Sequence, residues 1–126
     1  MKAWLLVALG GAMGAMLRYR IALWLLSASE QARFPLGTLL VNVTGCLAVG
    51  LLWAWTERID AGTEALRLAA MIGLLGGFTT FSAFGLETVL MLKRGDVLPA
   101  FLYVSTSVLL GLFAVWVGLV LVETRA

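Results

Sequence analysis

The sequence contains no histidine and a single cysteine, Cys46. A histidine metal site, a histidine general base and an internal disulfide are therefore excluded. Charge is scarce too. Asp, Glu, Lys and Arg make up 13% of the chain, against about a quarter in a soluble domain. The net charge of +2 is small and dispersed, which excludes a nucleic-acid partner. No nucleotide-binding motif is present. These absences exclude a soluble enzyme, a secreted disulfide scaffold and a disordered tail.

What is abundant is apolar residues. They form 62% of the 126 positions, and the mean hydropathy is +1.02. The few charges cut the chain into uncharged runs. Between Arg33 and Glu57 lie 23 residues, between Arg67 and Glu87 lie 19, and between Asp96 and Glu123 lie 26. A bilayer crossing takes about 20, so each run is a span. Before them, 15 uncharged residues separate Lys2 from Arg18, and 9 separate Arg20 from Glu30. These make one span if Arg18 and Arg20 sit near its end and snorkel to the headgroups. The expected architecture is a single all-α membrane domain over 1–126, with helices at about 3–26, 35–56, 66–92 and 97–122. The polar connections are SASEQARF, ERIDAGTE and KRGD. Lys2 followed by AWLLVALGGA resembles a signal peptide. The run continues through Gly10 and Gly14, and three further spans follow it. It therefore reads as the first span.

The loop charges do not choose an orientation. One face carries Lys2, Arg58, Arg67 and Arg125; the other carries Arg20, Arg33, Lys93 and Arg94. Cytoplasmic loops normally hold the excess of Lys and Arg. A chain with four on each side can insert both ways and pair with its inverted copy.

Polar groups inside a span face protein or water. Thr38 and Asn42 lie four apart on one helix face, which Gly45 continues. Asn42 is open to two readings, interhelical glue or pore lining. The third span reads GLLGGFTTFSAFGLE at 73–87. Its Gly76-Gly77 and Thr79-Thr80 pairs weaken a helix near midspan. A break there would free backbone carbonyls suited to a small cation such as Na⁺; a continuous helix with glycines for close packing is the alternative. Phe81 and Phe84 follow on one face. They either pack against neighbours or present positive ring edges to an anion. Glu87 is the only carboxylate within a span; it either reaches water at the far end or faces the interior. Tyr103 and Ser107 share a face of the fourth span. Asn42, Thr80, Ser82, Tyr103 and Ser107 together offer hydrogen-bond donors without a fixed cation. That set suits a small, strongly hydrated anion.

The string GGFTTFSAFGLE at 76–87, GGAMGAMLRY at 10–19 and PLGTLLVN at 35–42 resemble the signature of the Fluc (CrcB) family of fluoride channels. The resemblance covers the whole chain in length, helix number and motif order. It implies an antiparallel, dual-topology homodimer in a bacterial-type plasma (inner) membrane, with two pores. It also implies a third helix broken near the midplane and a structural Na⁺ at the dimer interface, held by the carbonyls of Gly76 and Thr79. Under this resemblance the pore residues are Asn42, Phe81, Phe84, Thr80, Ser82, Tyr103, Ser107, Thr38, Glu87 and Arg18. Three positions depart from the family: Ala83 stands where many relatives carry Thr, Ser107 where many carry Asn, and Gly111 where many carry Ser. The implied task is passive F⁻ export. Hydrogen fluoride crosses membranes neutral and ionises inside, and the inside-negative potential drives F⁻ out through a pore.

Two other functions compete. A small multidrug exporter also has four helices and often dual topology, but it needs a proton-exchanging carboxylate in its first helix. None is present before Glu30. A structural assembly subunit would have no use for GGFTT together with Asn42.

Overall fold

The computed structural model describes residues 2–59 and 63–124. Within them the chain is all-helical, with four helices long and apolar enough to cross a membrane. The first span is α1 (Ala3–Trp24). Its 22 residues rise about 33 Å, close to the thickness of a hydrocarbon core. A short α2 (Leu26–Ala32) follows almost directly. The polar segment SASEQARF, expected as a plain connection, is thus largely helical. Its SASEQA portion has no helix breaker, and the turn comes at Arg33, which takes the left-handed conformation (φ 51°). Pro35 then precedes α3 (Leu36–Thr56), where its fixed φ suits a helix start.

The third span is compound. It opens with α4 (Thr63–Leu66), continues as a wider π-helical segment (Arg67–Leu75) and returns to α geometry in α5 (Gly76–Phe78). Thr79 and Thr80 are extended, with ψ of 157° and 116°. Helix α6 (Phe81–Lys93) resumes the climb. The π segment has no counterpart in the sequence reading. Gly95, at φ 83°, turns the chain into α7 (Val97–Glu123). Pro99 sits in the first turn of α7, where its missing N–H is harmless. Residues 60–62 of the second connection, and Arg125 from the charge tally, lie outside the described residues.

Lipid offers no hydrophobic force to press helices together, so close packing must do it. Glycines make that possible. A Cβ on Gly10 would run into the Ala69 carbonyl, and one on Gly14 into the Leu74 carbonyl. The first span therefore lies backbone against backbone on the π segment. A Cβ on Gly118 would come within 2.6 Å of the Leu47 oxygen, and one on Gly50 would strike the Val115 oxygen. That pair joins α3 to α7. The buried apolar cluster is small: Met91, Ala100 and Tyr103, flanked by Phe34, Leu39 and Phe84. Most large apolar side chains point outward, among them Trp24, Leu109 and Leu112, as expected of a lipid-facing surface.

Candidate functional site

The site is built around the interruption at Thr79-Thr80. Thr79 still belongs to the incoming helix by its bonds: its N–H donates to the Leu75 carbonyl at 3.0 Å, and its hydroxyl donates to the same oxygen at 2.9 Å. Thr80 does not. In a continuous helix its N–H would reach the Gly76 carbonyl; here it donates to Asn42 Oδ1 at 2.8 Å. Asn42 returns the bond, its Nδ2 donating to the Thr80 carbonyl at 3.0 Å. One amide side chain thus replaces a missing piece of helix ladder. The Thr80 hydroxyl caps the next helix by accepting the Ala83 N–H at 3.2 Å, and it lies 3.3 Å from Ser82 Oγ. That is the arrangement of a helix N-cap.

The interruption leaves carbonyls without helical partners. Gly76 loses the Thr80 N–H. Gly77 receives Arg18 instead, whose Nε–H donates to its oxygen at 3.1 Å. Arg18 thus turns inward to the chain, where the sequence reading had it snorkelling. Hard, neutral carbonyl oxygens such as those of Gly76 and Thr79 are the donors a small alkali cation takes, so these residues fit Na⁺. Gly77 itself faces α1: a Cβ there would strike the Gly11 oxygen. Bulk at position 77 is excluded by packing within the chain.

Beside the interruption runs an open groove of about 410 Å³. Asn42, Gly76, Thr79, Thr80, Phe81, Phe84 and Ser107 line it, together with Gly45 and Cys46. Residues expected from three separate spans therefore meet at one place. Gly45 admits the close approach, because a Cβ there would overlap the Thr79 methyl. The Ser107 hydroxyl is buried without a hydrogen-bond partner among the described residues, a rare state for such a group. Asn42 is both glue and lining: one Nδ2 hydrogen serves Thr80, and the other is free for the groove.

An aromatic series leads away from the groove. The Phe81 and Phe84 rings lie 5.6 Å apart between centroids. Phe84 is 5.2 Å from Tyr103, and Tyr103 meets Phe34 edge-on at 5.4 Å. Phe81 is 83% exposed on the chain, whereas Tyr103 is fully buried. The Tyr103 hydroxyl donates to Glu87 Oε2 at 2.7 Å, and the Thr38 hydroxyl donates to Oε1 at the same distance. Glu87 thus faces the interior. Thr38 and Glu87 in turn line a second cavity of about 390 Å³, which also holds Ser29, Glu30 and Arg94. Ser82 is exposed beside Thr80.

Some features of this site were missed in the sequence. Cys46 was read only as an unpaired thiol, though it lies four residues after Asn42 and so on the same face. Phe34 was placed in a connection, and no spacing marks it as a partner of Tyr103. Arg94 was only a loop charge.

The family model described as "CrcB-like protein, Camphor Resistance (CrcB)" matches residues 5–119. The chain is 42% identical over 123 residues to a Flavobacterium psychrophilum protein named "Fluoride-specific ion channel FluC", with 98% of each chain covered. It is 47% identical over 120 residues to a protein of the same name from Hyphomonas neptunium, with 94% of each chain covered. A third of that name, from Novosphingobium aromaticivorans, is 46% identical over 120 residues, again with 94% of each covered. With a match across nearly its whole length, and with the Gly76–Glu87 string wrapped around Asn42, the chain belongs to the CrcB family.

Proposed function

We propose that the protein is a passive, fluoride-selective channel, not an enzyme, that exports F⁻ across a bacterial-type inner membrane. It works as an antiparallel, dual-topology homodimer with two pores, in which the two third spans, each broken near the midplane, meet. The names of its relatives support the fluoride-channel part of this reading. The observation that carries it is the groove. Asn42, Thr80, Phe81, Phe84 and Ser107 gather there with no lysine or arginine on its wall.

Fluoride is small and strongly hydrated, so a pore must replace its water with donors. The free Asn42 hydrogen, the Ser107 hydroxyl and the hydroxyls of Thr80 and Ser82 supply strong ones. The edges of Phe81 and Phe84 add weaker, positive contacts. Without a lysine or arginine side chain on the wall the ion is held loosely enough to leave. From Phe84 the route continues to Tyr103, Thr38 and Glu87, where both carboxylate oxygens already accept hydroxyls. Those bonds hold the carboxylate in place. The outward-facing Phe81 ring leaves one wall of the groove for the partner protomer to complete. Gly76 and Thr79 would hold Na⁺ through their carbonyls, and an ion bound there would add fixed positive charge between the two chains.

The deciding experiment is ion flux from liposomes containing the purified protein. F⁻ efflux that depends on the protein, with Cl⁻ nearly excluded, is expected. Comparable Cl⁻ flux would overturn the assignment. Proton-coupled uptake of an organic cation in place of F⁻ flux would favour the exporter.

A further inference from the structure

We propose that Arg18 is a positioning residue of the conducting site. It acts as a clamp on the interrupted third span, not as a ligand for the permeating ion. The proposal rests on the channel reading above, but its first test does not.

Helix bonds need every intervening residue to be helical. Thr79 and Thr80 are extended, which carries the Phe81 N–H away from the Gly77 carbonyl. That oxygen belongs to the last turn of a helical run from Thr63 to Phe78, where carbonyls carry partial negative charge. Arg18 Nε–H takes it at 3.1 Å, across 59 positions of sequence and from a different span. Arg18 does not line the groove. Asn42 holds the other side of the interruption through both polar groups of Thr80. The two side chains grip Gly77 and Thr80, and between them lie Phe78 and Thr79. The direction of the Thr79 carbonyl and the placing of Phe81 therefore depend on both grips. The site is precise only if its supports are. A cationic donor also suits a helix C-terminus better than a neutral one.

The sequence offers a selective probe. Gly77-Phe78 is the only Gly-Phe pair in the chain. Labelling glycine with ¹³C at the carbonyl and phenylalanine with ¹⁵N therefore isolates the Gly77 carbonyl in solid-state NMR of the protein in lipid. In the unmodified protein, arginine labelled with ¹⁵N at Nε should couple through space to this carbon. Absence of that coupling overturns the clamp, whether or not any variant folds. Arg18→Met removes the donor and keeps the length. It should move the Gly77 carbonyl signal upfield and lower F⁻ flux per folded dimer at least about tenfold, the scale of one charged hydrogen bond. Arg18→Gln restores a neutral donor and should recover both readouts in large part. If Arg18→Gln recovers the carbonyl signal but not the flux, the charge itself acts on the ion and the positioning role is refuted. If the unmodified protein shows the coupling but no F⁻ flux, the channel reading fails and the clamp stands.

Discussion

Asn42 satisfies both backbone polar groups of Thr80, accepting its N–H at 2.8 Å and donating to its carbonyl at 3.0 Å. A single side chain on the second span thereby makes extended backbone tolerable inside the third. In hydrocarbon an unpaired amide costs several kcal/mol, so the interruption and the asparagine stand or fall together.

Asn42→Asp tests both of its duties. The acceptor to the Thr80 N–H survives, but the donor to the Thr80 carbonyl is lost and a negative charge faces the groove. An anion path should close, with F⁻ flux falling well over tenfold. Thermal stability of the detergent-solubilised protein should also drop, by about 1–3 kcal/mol for the oxygen left unpaired. Near-normal flux would remove Asn42 from the path.

The phenylalanines should separate by mechanism. Phe84 packs on Tyr103 within the protomer, so Phe84→Ile should cost about 1–3 kcal/mol of stability along with flux. Phe81 is 83% exposed on the protomer, so Phe81→Ile should leave the protomer's stability nearly unchanged. If its ring edge contacts F⁻, flux per folded protein still falls strongly. Flux retained in both variants would make the pair packing alone.

The spans were legible because charge is so rare: each uncharged run of bilayer length lies in a helical span long and apolar enough to cross a membrane, the third of them interrupted at Thr79-Thr80. Of the groove residues, Asn42 stood out because a side-chain amide is rare in lipid, and Phe81 and Phe84 because the string around them resembles a known signature. The rest was not. SASEQARF is polar, and polarity alone does not distinguish a loop from an interfacial helix such as Leu26–Ala32. The π geometry of Arg67–Leu75 has no compositional mark; it arises where α1 lies against the backbone through Gly10 and Gly14. Glycine spacing announced close packing but not the partner. The partner of Arg18 was not legible, because a carbonyl freed 59 residues away depends on tertiary structure.

Glu87 accepts two hydroxyls, from Thr38 and Tyr103, each at 2.7 Å. Tyr103→Phe removes one of them and leaves Oε2 without its hydroxyl donor beside the second cavity. A loss of about 0.5–1.5 kcal/mol is expected for one hydrogen bond. Thr38→Val should cost a similar amount by exposing Oε1. Because both bonds hold one carboxylate, the double variant should lose a different amount from the sum of the two. Strict additivity, read from thermal or denaturant unfolding, would mean that the two hydroxyls do not cooperate through Glu87.

Orientation in the membrane is the remaining test. Apart from Arg18, which lies deeper in the first span, the basic residues divide four against four between the two faces, and positive charge in short loops is what fixes topology. One of them, Arg67, is already engaged with Glu57, with the Thr56 hydroxyl at 3.2 Å and with the Trp53 ring at 5.0 Å, so its removal would confound folding with topology. Additions are cleaner. A tag on the carboxyl terminus of the unmodified chain should be labelled from both sides of the membrane. Two or three lysines added at the amino terminus should drive that face to the cytoplasm. If the working unit is an antiparallel pair, the biased chain alone should lose most of its flux. Co-expression with a copy biased the other way, by lysines in the 93–96 connection, should restore it. Labelling from one side only, in the unmodified chain, would refute dual topology. Full flux from a strictly one-sided population would refute the antiparallel pair, and the exposed Phe81 ring would then need a different neighbour.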